Sequence, residues 1–269
     1  MTLPVILTIA GSDNSAGAGA QADLKTISAL GGYGVTAITC VVAEVPGKVS
    51  AIYPIPAEIV AEQVRLLFGA FPIAAMKTGM LHSSAIIESV VAVLDECNTR
   101  KIPLVVDPVM VATSGDALLQ ADAVALYRDL LFSRATLVTP NLDEVRVLTG
   151  KPVTSVAEMR DAGRELATRH GCAFLIKGGH LREATSTDLL VAPDGDIAEF
   201  CAPFIPGVST HGTGCTMSAA IATGLGRGLG LREAVGAAKQ FVHRAIASSL
   251  RWEKDGRTTN ALHHFAHGE

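Results

Sequence analysis

Residues 211–216, with the sequence His-Gly-Thr-Gly-Cys-Thr, combine two glycines, two threonines and a cysteine in one short stretch. The glycines allow a tight turn, and the mostly small and apolar residues 217–224 that follow predict a buried helix. The N–H groups at a helix start lack acceptors within the helix, so this turn would bind an anion such as a phosphoryl group in transfer. Cys215 would lie at or near the first helical position, where the positive end of the helix favours a thiolate. Taken alone, the stretch also fits an ordinary glycine-rich loop before a core helix, with an inert buried cysteine.

The composition describes a chain that can bury a large core. Its 269 residues are 49% apolar and 18% charged but only 4% aromatic, so Val, Ile, Leu and Ala must build the core. Such a composition is typical of a parallel sheet that helices cover on both faces. The net charge is −4 without a basic cluster, which argues against a nucleic-acid partner.

The cysteine content and the N-terminal residues bear on the compartment. The chain has five cysteines, an odd number without metal-ligand spacing, which is typical of a reduced cytosolic protein. Residues 1–10 contain no Lys or Arg, so we expect no secretory signal. The uncharged stretch 26–43 contains three glycines, and its halves have the patterns of a helix end and a strand, so we expect no membrane span.

Apolar runs typical of strands alternate with helical patterns along the chain. Strands are predicted at residues 4–10, 35–43, 49–53, 74–77, 103–107, 135–139, 173–177, 189–192 and 197–200, the last two as a hairpin. Helices are predicted after residue 212 and at residues 20–30, 57–68, 85–97, 121–132, 141–149, 156–170 and 231–250. We therefore predict a single α/β domain over residues 1–269, with a doubly wound, mostly parallel sheet between helices and a polar tail at residues 254–269.

Polar side chains end four of the predicted strands. Glu44, Asp107, Asn141 and Lys177 each lie at or just past the carboxyl end of a strand, which is where ligands bind in such sheets. Asn141 and Glu144 have the spacing of a helix capping box, but their oxygens would also suit a magnesium ion. Lys177 would suit the phosphates of a nucleotide as a point charge. Each residue alone has an ordinary explanation as a cap, a strand end or a solvated side chain, but their convergence predicts a ligand site.

Residues 17–22 match the loose dinucleotide-binding pattern G-x-G-x-x-A, and Glu44 could then bind a ribose. In that pattern the first glycine follows the strand almost directly, whereas residues 11–16 intervene here. A nicotinamide enzyme would also leave the motif around Cys215 unexplained. A dehydrogenase is therefore an alternative that the sequence does not favour.

Seven short motifs occur in one order along nearly the whole chain. They are Ala10-Gly-Ser-Asp13, Gly19-Ala-Gln-Ala-Asp-Leu-Lys-Thr26, Lys77-Thr-Gly-Met-Leu81, Asp107-Pro-Val-Met110 with Ser114-Gly-Asp116, Thr139-Pro-Asn141 through Glu144, Lys177-Gly-Gly-His180 and residues 211–216. With these motifs the chain resembles the hydroxymethylpyrimidine and phosphomethylpyrimidine kinases of thiamin biosynthesis, in the ribokinase-like superfamily. The resemblance implies a ribokinase-like fold, a homodimer, and two phosphorylations at one site that use ATP with Mg²⁺. The first would act on the alcohol 4-amino-5-hydroxymethyl-2-methylpyrimidine and the second on its monophosphate.

The resemblance also assigns roles to individual residues. Cys215 would accept the hydroxyl proton in the first step, while the N–H groups from Gly212 through Thr213 and Gly214 to Cys215 hold the transferring charge. The residues of the pyrimidine pocket would be Gly11, Asp23, Val42, Glu44 and Met80. ATP would lie along Asp107, Asn141, Lys177, Thr213 and Lys239, with Asp107 and Glu144 at the metal and the adenine among Val208, Lys239 and Val242.

One segment departs from the family pattern. Many relatives have Asp-Pro-Ser-Gly-Gly-Ala-Gly-Ile where residues 13–20 are Asp-Asn-Ser-Ala-Gly-Ala-Gly-Ala. The missing proline and glycine change the stiffness of the loop over the pyrimidine, and Ala20 would widen a pocket wall. A vitamin B6 kinase acting on pyridoxal or pyridoxine therefore stays an alternative, and so does a non-catalytic ligand-binding regulator of the same fold.

Overall fold

The computed structural model describes residues 2–110, 121–179, 181, 184–208 and 211–266. The strands in these ranges are β1 Val5–Asp13, β2 Tyr33–Val45, β3 Lys48–Pro54, β4 Ile73–Thr78, β5 Leu104–Val106, β6 Leu137–Val138, β7 Ala173–Lys177, β8 Thr185–Val191, β9 Ile197–Pro203, β10 Leu250–Lys254 and β11 Arg257–Ala261. The α-helices in the same ranges are α1 Gly19–Ala29, α2 Ala57–Ala70, α3 Ser84–Glu96, α4 Ala121–Leu126, α5 Leu142–Thr149, α6 Val156–His170, α7 Thr213–Gly226 and α8 Leu231–Ala247. None of the described helices is both long and apolar enough to cross a membrane.

The first nine strands form one sheet in the order β3-β2-β1-β4-β5-β6-β7-β8-β9. Neighbouring strands from β2 through β7 run parallel, whereas β3 at one edge and the β8–β9 hairpin at the other are antiparallel. The predicted doubly wound, mostly parallel α/β sheet is confirmed. The strand order reverses between β1, which pairs with β2 on one side, and β4 on its other side. Ligands bind beyond the carboxyl ends of the strands at such a reversal.

Apolar side chains of the sheet pack on both of its faces. Along β1, Val5, Leu7 and Ile9 join the core that α2, α3, α5 and α6 cover, whereas Ile6 joins the core under α1, α7 and α8. The alternation follows from the two-residue period of a strand. α7 is buried over residues 216–224, as expected for a central helix, and this burial fixes its N-terminus at the edge of the sheet where ligands bind.

The C-terminal part differs from the prediction. α8 ends at Ala247 rather than at residue 250, and residues 250–261 form the β10–β11 hairpin instead of a helix end and the start of a tail. The turn residues Asp255 and Gly256 have φ values of +51° and +72°. An Asp-Gly pair at positive φ is the two-residue turn that matches the twist of a hairpin, so the signal was present in the sequence and was missed.

The predicted helix at residues 121–132 is also shorter than expected. α4 ends at Leu126, and the chain continues as a π-helical turn over Tyr127–Leu131 and a 3-10 turn over Phe132–Arg134. Tyr127 is fully buried and donates its hydroxyl proton to the Gly79 carbonyl at 3.0 Å. This bond joins the irregular turn to the end of β4.

Candidate active site

A cavity of about 290 Å³ opens at the carboxyl ends of the central parallel strands. Its wall includes Gly11 from β1, Lys77 from β4, Asp107 just after β5, Lys177 from β7 and Cys215 from α7. All four strand-end residues that the sequence singled out line this cavity. They meet because parallel strands place their carboxyl ends along the same edge of a sheet.

The start of α7 at the cavity requires a glycine. Gly212 caps the helix with φ +82°, a conformation that other residues rarely adopt. A Cβ at Gly212 would lie 1.8 Å from the carbonyl oxygen of Gly17 in the facing loop. The first N–H groups of a helix lack acceptors within the helix, and residues 212–215 all line the cavity. This end of α7 can therefore stabilise an anion.

The protonation state of Cys215 differs from the predicted thiolate. Cys215 is the third residue of α7 and so lies near the helix start, as predicted. Burial raises its pKa to about 11, and although Lys77 lowers that pKa, Asp23 and Asp107 raise it. The expected thiolate is therefore wrong for the unliganded protein near neutral pH. The free-energy cost of removing a thiolate from water exceeds the stabilisation that the helix end and Lys77 provide.

Lys77 and Asp23 form a fully buried ion pair. Lys77 Nζ lies 2.8 Å from Asp23 Oδ2, and both side chains are 0% exposed. Thr8 donates a further hydrogen bond to the same carboxylate oxygen at 2.6 Å. Placing Asp23 in the wall of the substrate pocket was therefore wrong, because Lys77 and Thr8 engage its carboxylate and Lys77 lines the cavity instead. No role for Lys77 was predicted, although a lysine at the end of an apolar strand is itself a signal of a buried or functional charge.

A second ion pair joins Asp107 to Lys177. Lys177 Nζ lies 3.1 Å from Asp107 Oδ1, and Thr139 and Ser218 donate hydrogen bonds to the same carboxylate at 3.3 Å each. Burial alone would lower the pKa of Lys177, but the carboxylates around it raise that pKa, so the ammonium stays charged. A Cβ at Gly214 would lie 3.2 Å from Lys177 Nζ, so the lysine lies directly beside the first turn of α7.

Asn141 and Glu144 form the predicted capping box at the start of α5. Glu144 N donates to Asn141 Oδ1 at 2.9 Å, and Asn141 N donates to Glu144 Oε2 at 2.8 Å. Burial raises the pKa of Glu144 to about 7, with Lys177 lowering it and Asp107 raising it. Both side chains also line the cavity, so the two interpretations of this pair are compatible. The two neighbouring carboxylates, Asp107 and Glu144, would suit a cation with oxygen ligands.

The predicted pyrimidine side of the cavity combines apolar walls with one carboxyl group. Gly11, Val42 and Met80 line this part together with the half-buried Glu44. Burial raises the pKa of Glu44, and the nearby Asp13 raises it further. A polar acceptor among apolar walls is what a small heterocycle with an amine would require.

Asp13 and His211 also line the cavity, although no individual role was predicted for either. His211 Nε2 lies 3.1 Å from Asp13 Oδ2, and the Asp13 carboxylate also accepts hydrogen bonds from the N–H groups of Ser15, Gly17 and Ala18. Burial raises the pKa of Asp13, but these hydrogen bonds outweigh it and bring the pKa to about 2. Ligand atoms of Asp13, Glu44 and His211 lie within 4.8 Å of one another, close enough for a metal ion, although those of Asp13 are already hydrogen-bonded.

The predicted nucleotide side contains a third ion pair. Lys239 Nζ lies 2.8 Å from Asp188 Oδ2 and 3.1 Å from Ser186 Oγ. Lys239 and Val242 line the cavity, whereas Val208 is absent from its described lining. Asp188 was not foreseen, because β8 was expected to begin only at residue 189. Two matched motif segments, at residues 114–116 and at His180, lie outside the described residues.

Comparison with known proteins finds relatives over nearly the whole chain. The family model described as phosphomethylpyrimidine kinase matches residues 13–260. The chain is 44% identical over 263 residues to the hydroxymethylpyrimidine/phosphomethylpyrimidine kinase of Rhizobium meliloti (strain 1021), with 97% of each chain covered.

Two solved structures show the same fold. The phosphomethylpyrimidine kinase from Clostridium difficile 630 has a TM-score of 0.79 and 36% identity, covering 90% of this chain and 99% of that chain. The pyridoxal kinase from Staphylococcus aureus, solved with AMP-PCP and pyridoxal, has a TM-score of 0.85 and 33% identity, covering 98% and 95%. The predicted ribokinase-like fold and the predicted phosphotransferase class are thereby confirmed. From the matched residues and the full-length relative, this chain belongs to the phosphomethylpyrimidine kinase family.

Proposed function

We propose that this chain transfers a phosphoryl group from ATP to the hydroxymethyl group of 4-amino-5-hydroxymethyl-2-methylpyrimidine, and then a second one to the resulting monophosphate. One observation carries the proposal. A single cavity holds Glu44 and Met80, assigned to the pyrimidine, together with Asp107 and Lys177, assigned to the nucleotide, and the N-terminus of α7. Both substrates would thus meet at one anion site. The full-length relative named for both phosphorylations supports the same conclusion.

The acceptor would bind against Gly11, Val42 and Met80. These walls exclude water but offer little to the amine of the pyrimidine, which needs a hydrogen-bond acceptor. Glu44 supplies that acceptor from the end of β2. Asp13, at the end of β1, lines the same side of the cavity and is hydrogen-bonded to His211.

The nucleotide would lie along Asp107, Asn141, Lys177, Thr213 and Lys239, with the adenine near Val242. Lys177 would bind the phosphates as a point charge. Asp107 and Glu144 would hold Mg²⁺ through their carboxylate oxygens. Burial, together with the nearby Asp107, raises the pKa of Glu144 to about 7, and a bound cation would favour the ionised carboxylate. When bound, Mg²⁺ would neutralise charge on the ATP phosphates.

The transfer would occur at the first turn of α7. The N–H groups of residues 212–215 would stabilise the charge on the transferring group. In the first step the substrate hydroxyl oxygen forms the bond to phosphorus, ADP leaves, and the hydroxyl proton moves to the Cys215 sulfur, which accepts it in its thiolate form, a small fraction near neutral pH. In the second step the attacking phosphate oxygen is already ionised near neutral pH, so this step needs the thiol less.

Product analysis by mass spectrometry tests the proposal. The purified protein is incubated with ATP, Mg²⁺ and equal amounts of the hydroxymethylpyrimidine and pyridoxal. We expect pyrimidine monophosphate first and diphosphate later. Pyridoxal phosphate alone would reject the pyrimidine assignment, and ATP binding without either product would reject catalysis and favour the regulator.

A vitamin B6 kinase is the second candidate, favoured by the close match to the solved pyridoxal kinase. Glu44→Leu separates the two substrates, since an apolar side chain cannot accept the hydrogen bond of the pyrimidine amine. We expect a large loss of pyrimidine phosphorylation, with Glu58→Leu, at an exposed position of α2, as the matched control. Full pyrimidine activity in Glu44→Leu would overturn the binding assignment.

We further propose that the protein is a cytoplasmic homodimer. The resemblance to the family supports the dimer, and five free cysteines support a reducing compartment. Light scattering of the purified protein would test the dimer, and a monomeric mass would contradict it.

A further inference from the structure

The C-terminal segment after β11 is fixed against the body of the protein. Leu262 and His264 are each only 4% exposed. The His263 N–H donates to the Ala245 carbonyl of α8 at 3.1 Å, which holds this segment beside the helix. The segment therefore packs as part of the core although it follows an exposed hairpin.

The buried His264 contacts the helix that carries Cys215. His264 Nε2 lies 3.0 Å from the hydroxyl oxygen of Thr216, which is 0% exposed and directly follows Cys215. Burial lowers the pKa of His264 to about 4, Lys25 lowers it further, and a backbone hydrogen bond with Leu262 raises it, so the ring is neutral at neutral pH. His264 Nε2 of the neutral ring and the Thr216 hydroxyl therefore share one hydrogen bond, whose donor is set by the tautomer of the ring.

A buried hydroxyl of α7 can be satisfied within the helix. Thr223 donates to the Ala219 carbonyl one turn earlier, at 2.8 Å. Such a local bond satisfies a buried hydroxyl without outside help. The hydroxyl of Thr216 is instead bonded to a residue 48 positions away. The His264 bond therefore links two segments rather than merely satisfying a threonine.

The first turn of α7 begins without a capping side chain. Its cap, Gly212, provides no side-chain hydrogen bond, in contrast to the capping box of α5. Its second residue, Gly214, lowers the intrinsic stability of the turn. The Thr216 N–H closes the turn by donating to the Gly212 carbonyl at 2.9 Å. A bond that fixes Thr216 therefore also fixes the turn whose N–H groups face the cavity.

We propose that His264 is a positioning residue for phosphoryl transfer, which acts through the Thr216 hydroxyl to hold residues 212–215 in place. The inference rests on the proposed role of this turn in the reaction. His264 does not line the cavity, so it touches no substrate and acts only through α7. A displacement of the turn reduces the rate of transfer more than it weakens pyrimidine binding, because the walls around Glu44 belong to β1, β2 and the end of β4.

Steady-state kinetics of matched variants tests this role. In His264→Ala and Thr216→Val we expect kcat of both phosphorylations to fall by roughly ten- to a hundredfold, with KM for the pyrimidine within about twofold of the wild type. His264→Gln and Thr216→Ser keep an acceptor and a hydroxyl, and we expect both to recover most of the lost kcat. His263→Ala is the control, since it removes the same ring from the adjacent position. Should His264→Ala fail to fold, the pair Thr216→Val and Thr216→Ser carries the same test.

A double variant and a chemical probe complete the design. The double variant His264→Ala/Thr216→Val should be no slower than the worse single variant, because both changes remove one bond. Peptide-resolved iodoacetamide labelling should modify Cys215 several-fold faster in both single variants than in the wild type or His263→Ala. Labelling requires no turnover, so it reports on the conformation of the turn even if the wild type makes no pyrimidine phosphate. The absence of that product would reject the proposed function but not the positioning role of His264. Unchanged kcat and labelling, additive losses in the double variant, or equal losses in His263→Ala would each overturn the positioning role.

Discussion

Replacing Cys215 with alanine should separate the two proposed phosphorylations. The sulfur is the only proton acceptor that we assign to the first step, in which an alcohol must lose its proton. General-base groups contribute about 10²–10⁴-fold to such steps. We therefore expect Cys215→Ala to reduce the first phosphorylation by roughly a hundredfold or more. The second should fall by less than about tenfold, because its phosphate nucleophile, with a second pKa of about 6, is already ionised.

The pH dependence follows from the burial of the same thiol. Burial raises the pKa of Cys215 to about 11, so about 0.1% of it is thiolate at pH 8. That fraction increases about tenfold for each pH unit below the pKa. The wild-type rate of the first step should therefore increase about tenfold per unit between pH 7 and pH 9, whereas the second step should be nearly flat there. Cys215→Ala should abolish the slope of the first step.

The assay starts each step from its own substrate. Purified alcohol or monophosphate is mixed with saturating ATP and Mg²⁺, quenched at set times and quantified by liquid chromatography with mass spectrometry. Cys201→Ala, which removes an exposed thiol in β9, is the control. Equal losses in both steps, or a flat wild-type profile for the first step, would refute the base role and assign Cys215 to positioning or anion stabilisation.

Three further predictions concern the groups around the cavity. Gly212→Ala should abolish activity and destabilise the fold, because the new Cβ would lie 1.8 Å from a backbone carbonyl oxygen. Gly69→Ala in α2 is the control, since its Cβ would meet no atom within 4 Å. In thermal melts and activity assays this control should match the wild type or be more stable. Lys77→Met leaves the carboxylate of Asp23 buried without its cation, so urea titration should show a loss of about 3–5 kcal/mol, and a loss below about 1 kcal/mol would contradict the buried-pair argument. Asp13 has a pKa of about 2 against 3.8 for its ordinary value, so its contribution to stability is complete above pH 3.8 and decreases toward pH 2. In thermal melts, Asp13→Asn should lose less stability between pH 3.8 and pH 2 than the wild type loses. An equal loss in the two proteins would refute the contribution of Asp13 to acid stability.

The sequence by itself determined the class of fold and the position of the anion turn. Apolar runs with a two-residue or continuous pattern alternate with helical periods, and short-range sterics and burial suffice to favour a parallel α/β sheet from such a pattern. Because parallel strands share an edge at their carboxyl ends, the meeting of Glu44, Asp107, Asn141 and Lys177 followed from the order of elements alone. The capping box at Asn141 is local, with both partners three residues apart, and was readable for that reason.

Only the tertiary structure decided the charges and partners within the site. Lys77 binds Asp23 across 54 positions, and His211 meets Asp13 across 198, separations over which a pattern of neighbouring residues carries no information. The same holds for the pKa of Cys215, which the helix end alone would lower. Desolvation and Coulomb energies depend on which remote segments enclose a group, and here the enclosing residues come from α1, β4 and the end of β5. Local sequence thus placed the thiol at the helix start, whereas long-range packing determined its protonation state.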